Sequence, residues 1–92
     1  MAIENFISKS VATVVAYPNP TQGLFTIDTR NNTDDFSFSF YDLNGKYITP
    51  KYEKTGPTLL QVNMEKYTEG LYFVIVFDKV ENKYNYLKII KK

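Results

Sequence analysis

Hydrophobic and polar residues alternate along this chain with a period of two, in short bursts separated by turn-forming residues. The clearest burst is Phe36-Ser37-Phe38-Ser39-Phe40-Tyr41. Successive side chains of a strand point to opposite faces, so the three phenylalanines share one face and the two serines the other. A helix would scatter the same rings around its circumference. Phe25 and Ile27 alternate with Thr26 and Asp28, and Leu60, Val62 and Met64 fall on one side of residues 59–64. Each pattern predicts a strand with one buried face.

A different pattern marks Leu71-Tyr72-Phe73-Val74-Ile75-Val76-Phe77, which is apolar at every position. This run reads as a central strand covered on both sides. Its β-branched and aromatic content, and the glycine before it, argue against a buried helix. Residues 13–17, 46–49 and 84–90 bring the expected strands to seven. Between them lie the polar loop 30–35, the Asn44-Gly45 hairpin signal, the polar connection 51–57 with its Gly56-Pro57 break, and a turn over 78–82. Residues 65–69 read as a short connection with Tyr67 tucked beneath it. Evenly spaced short strands without a long helix predict an all-β, two-sheet antiparallel sandwich.

One stretch stands apart: Tyr17-Pro18-Asn19-Pro20-Thr21-Gln22-Gly23. Two prolines, each with a fixed φ and no backbone N–H, cannot occupy a central strand. They also hold the preceding residues in extended conformations. Thr21-Gln22-Gly23 then supplies a turn, glycine being free to take positive φ. A rigid corner between two strands is expected to carry the chain from one sheet to the other.

Composition narrows the chemistry. At 92 residues the chain makes one domain. It has no cysteine, so its seven phenylalanines and eight tyrosines must supply the core. A net charge of +1 gives no strong attraction to nucleic acid or to an acidic membrane. Residues 1–12 read as a linker or leading segment, with at most one helical turn at 3–7, ahead of a sandwich spanning 13–92. No run is long and apolar enough for a membrane helix, and an acidic Glu4 stands where a secretory leader would be basic. The chain is therefore either cytosolic or a piece of a longer secreted protein.

The absence of histidine and cysteine removes the commonest general base and the usual thiolate nucleophile, and leaves no soft metal ligand. Ser37 and Ser39 lack a base, Asp34-Asp35 lacks the spacing of a calcium loop, and no cofactor is implied. The tyrosines suit either packing with one end wet or a platform on which sugars stack. The residues alone thus describe a small sandwich without an active site.

The order of motifs is more specific than any one of them. Tyr-Pro-Asn-Pro-x-x-Gly, with Ile27 four residues on, is followed by a Phe-rich strand entering Tyr41-Asp42-Leu43-Asn44-Gly45-Lys46. Val62-Asn63-Met64 then leads past Tyr67 to Gly70-Leu71-Tyr72, and the chain closes on Lys88-Ile89-Ile90-Lys91. From Val14 onward this series closely resembles the type A C-terminal sorting domains of type IX (Por) secretion substrates in the Bacteroidetes. Met64 and Tyr67 stand where the family more often has leucine, and Lys92 extends the end by one residue.

The resemblance implies an immunoglobulin-like sandwich with no catalysis of its own. Such a domain follows an upstream cargo, crosses the periplasm with it, and is read by the type IX machinery of the outer membrane. A sortase-like peptidase then removes it as the cargo reaches the cell surface, here by cleavage within 4–14. The implied recognition residues are Pro18, Asn19, Pro20, Gly23, Asp42, Gly45, Gly70, Tyr72, Lys88, Ile89, Ile90 and Lys91. The alternative is a carbohydrate-binding or adhesive module of a surface enzyme, which an exposed coplanar row of tyrosines would favour.

Overall fold

The computed structural model describes residues 13–92. Eight strands form two four-stranded antiparallel sheets packed face to face. The strands are β1 (Val15–Tyr17), β2 (Leu24–Asp28), β3 (Phe36–Asp42), β4 (Tyr47–Ile48), β5 (Lys51–Lys54), β6 (Leu59–Asn63), β7 (Gly70–Asp78) and β8 (Lys83–Lys91). The sheet orders are β1-β2-β6-β5 and β4-β3-β7-β8. Lettered in chain order, these are A-B-E-D and C′-C-F-G, the arrangement of the immunoglobulin sandwich. The expectations for residues 1–12, the helical turn at 3–7 among them, lie outside the described residues.

The period-two pattern builds the core as anticipated. Phe25, Ile27, Leu60, Val62 and Met64 of the first sheet face Phe36, Phe40, Tyr72, Val74, Val76 and Ile89 of the second, all buried. Phe38 is only half-buried, because it lies near the rim of the sandwich and rests against the exposed Tyr52 at 6.0 Å. The polar connection expected over 51–57 instead contains β5, exposed at all four positions. Lys51, Glu53 and Lys54 leave no apolar alternation to detect, and charged residues suit an edge strand that must not pair with another chain.

A second difference concerns β7. Tyr72, Val74 and Val76 point into the core, but Leu71, Phe73, Ile75 and Phe77 face outward and are only partly covered. Side chains of the neighbouring strands flank them, Ser37, Ser39 and Tyr41 on β3 and Tyr84, Tyr86, Lys88 and Ile90 on β8, and no second layer covers them among the described residues.

Asn44-Gly45 also turns differently from a two-residue hairpin. Asp42 and Lys46 close the loop through the Asp42 N–H and the Lys46 carbonyl at 2.9 Å, leaving Leu43, Asn44 and Gly45 between them. Only Gly45 has positive φ, at 82°, and its N–H donates to the Asp42 carbonyl. The Asp42 carboxylate accepts from the N–H groups of Asn44 and Lys46, both at 2.9 Å. A Cβ on Gly45 would meet nothing within 4 Å, so only the backbone conformation resists substitution. Gly45→Val is therefore expected to cost about 1–3 kcal/mol, read as a lower urea midpoint; an unchanged midpoint would contradict it.

Candidate functional site

The proline corner does not carry the chain between sheets as anticipated. β1 and β2, on either side of it, are hydrogen-bonded neighbours in the first sheet, with Tyr17 opposite Thr26. Between them the corner swings out and seats on the outer edge of β8 in the second sheet. The Tyr17–Pro18 and Asn19–Pro20 peptide bonds are cis. The side chain of Asn19 then acts as a peptide group would. Its Nδ2 donates to the Lys88 carbonyl at 2.7 Å, and its Oδ1 accepts the Ile90 N–H at 2.9 Å.

Thr21 continues the same seam with its backbone. Its N–H donates to the Ile90 carbonyl and its carbonyl accepts the Lys92 N–H, both at 2.8 Å, in a parallel bridge. The Thr21 side chain is buried and spans the turn, donating to the Leu24 carbonyl and accepting the Gly23 N–H. Gly23 lies at φ 151°, and a Cβ there would sit 2.6 Å from Cγ and 3.1 Å from Cα of Glu65. Glycine is required twice over: by its conformation and by the close approach of the Asn63–Glu65 backbone, whose Met64 N–H donates to the Gly23 carbonyl.

The four closing residues of the C-terminal motif divide their work. Ile89 is fully buried in the core, whereas Ile90 is 39% exposed. Lys88 projects outward. Lys91 turns inward, and its Nζ donates to the carbonyls of Glu65 and Tyr67 at the end of the sandwich. Its charge thus satisfies backbone oxygens of the connection 65–69 and is not offered to solvent alone.

Gly70 opens β7 and Tyr72 follows it into the core. The Tyr72 hydroxyl donates to the Thr68 carbonyl at 2.6 Å, and Tyr67 packs edge-on against its ring. A tyrosine near the start of strand F that bonds back to the E–F connection is the tyrosine corner of immunoglobulin-like sandwiches. Asp42, Gly45, Gly70 and Tyr72 therefore hold turns at the β3–β4 and β6–β7 connections. Pro18, Asn19, Pro20 and Gly23 join Lys88, Ile89, Ile90 and Lys91 in one place. A family model described as a secretion system C-terminal sorting domain matches residues 15–92.

The chain belongs to this family of sorting domains. No curated protein matches it. As a sorting domain it serves as a C-terminal signal for type IX secretion, and its match begins at the first residue of β1. Sequence reasoning placed both ends of the sorting domain's signature but not their union, because Asn19 and its two backbone partners are 69 and 71 positions apart. Thr21 carries only a turn signal in the sequence, its small hydroxyl between proline and glycine, and nothing local reveals a backbone bridge to β8.

Proposed function

We propose that the seam between the proline corner and the end of β8 is the surface that the type IX machinery reads. The observation that supports this is the single patch made from the two ends of the motif series. Asn19 and Thr21 fix the backbone there, so Pro18, Pro20, Lys88, Ile90 and Lys92 are presented in one rigid arrangement. The domain itself does no chemistry. It follows an upstream cargo through the periplasm, and a sortase-like peptidase on the cell surface removes it by cutting within 4–14. Gly23, Asp42, Gly45, Gly70, Tyr72, Ile89 and Lys91 serve the signal by holding this arrangement.

A reporter tests this reading. Residues 1–92 are placed behind a periplasmic protein in a type IX-competent bacterium, and surface arrival is measured. The parent domain is expected to deliver the reporter to the surface. Lys88→Gln with Lys92→Gln removes two exposed charges without touching the bonds of Lys91, and should lower surface arrival while leaving the melting temperature unchanged. Exposed charges act through screened contacts, so binding to purified machinery should weaken further as salt rises. Full export by the double variant would remove the lysines from the signal and leave the corner as its reading surface. A parent domain that strands the reporter in the periplasm would overturn the proposal.

A further inference from the structure

The outward face of the second sheet carries aromatic rings that the core does not use. Tyr84 and Tyr86 of β8 are 61% and 72% exposed. Their rings stack with centroids 6.4 Å apart and planes 22° from parallel. Phe77 lies across the ladder from Tyr84 and supports its ring at 4.6 Å. On the far side of β7, Ser37 pairs with Phe77 and Ser39 with Ile75. Ile75 in turn pairs with Tyr86, so serine hydroxyls run parallel to the ring row. Lys88 follows Tyr86 on the same face. The outward positions of β3, β7 and β8 include no carboxylate.

We infer that this row is a platform for an acidic polysaccharide, a binding site that adjoins the seam proposed for sorting and shares Lys88 with it. The C–H face of a pyranose ring packs on an aromatic face, and two nearly parallel rings offer such faces to an extended glycan. Phe77 already holds the Tyr84 ring in position, so little of that side chain's freedom is lost on binding. Phenolic and serine hydroxyls match the hydroxyls of a sugar chain. A lysine without a neighbouring carboxylate complements an acidic substituent and repels none. Exposure of so much aromatic surface also marks a face that meets a partner.

Calorimetry on the 92-residue chain tests this, with polygalacturonate as the acidic probe and laminarin as the neutral one. Polygalacturonate is expected to bind more tightly than laminarin. Tyr84→Ala and Tyr86→Ala should each lower affinity for it about tenfold, while circular dichroism shows both variants folded. Lys88→Gln should remove the preference over laminarin. Binding that survives loss of both rings would be diffuse charge attraction and would overturn the platform. Absence of binding to either polysaccharide would do the same. So would loss of surface export in the Tyr84→Ala, Tyr86→Ala double variant, which would assign the face to a protein partner. A concentration-dependent dimer abolished by that variant would instead give the face to a second copy of the chain.

Discussion

Phe40→Ala is expected to bring the domain close to its unfolding threshold. Phe40 is 3% exposed, sits between β4 and β7, and rests against Tyr52 at 5.7 Å. Emptying a buried aromatic site costs about 3–5 kcal/mol, through lost transfer energy and the cavity left behind. A domain of this size has a total stability of roughly 4–12 kcal/mol, so the loss is a large share of it. Phe38→Ala should cost less, since its ring is only half-buried and keeps one side against Tyr52. Urea unfolding checks both. The order Phe40 above Phe38 is the result expected, and a Phe40 variant as stable as the parent would contradict the core described above.

Deleting residues 90–92 is expected to abolish export. The deletion removes the Ile90 N–H from Asn19, both backbone bonds of Thr21 to β8, and the Lys91 ammonium from the Glu65 and Tyr67 carbonyls. At about 0.5–1.5 kcal/mol net per bond, and with most of them near solvent, the loss is roughly 2–4 kcal/mol. Ile89 stays, and with it most of the β7–β8 ladder. The truncated domain should therefore keep its sheet signature in circular dichroism, melt at a lower temperature, and leave its cargo in the periplasm. Normal export after this deletion would show that the end of the chain is no part of the signal. Because folding and recognition both suffer here, the lysine-to-glutamine variant separates them: it keeps every one of these bonds.

The sequence was legible wherever a pattern was local. Alternation in Phe36–Asp42 and Leu59–Asn63 located strands, their inward faces and the core they share. Gly45 and Gly23 announced turns because few other residues tolerate their conformations. Reading failed where the signal is absent or ambiguous. β5 turns a single ring inward, Tyr52 opposite Val62, and one aromatic among Lys51, Glu53 and Lys54 is too little alternation to betray a strand. The unbroken apolar run in β7 reads the same whether the outer face meets a second layer or water. Only the sheet register, which places Tyr84, Tyr86, Lys88 and Ile90 beside that face, decides the matter. The seam at β8 lay further out of reach. Asn19 is a common turn residue, and its use as a substitute peptide group depends on a strand near the other end of the chain.

Amide hydrogen exchange at Ile90 and Lys92 tests most directly whether the two ends of the motif form one unit. Both N–H groups point away from β7, on the edge that would meet solvent if the corner were not seated there. Slow exchange at both positions is expected in the parent. In Asn19→Ala, Ile90 should lose its protection while the amides of β7 that face β3 keep theirs. Rapid exchange at Ile90 and Lys92 in the parent, at the rate of an unpaired strand edge, would contradict the sealed seam and the recognition surface built on it.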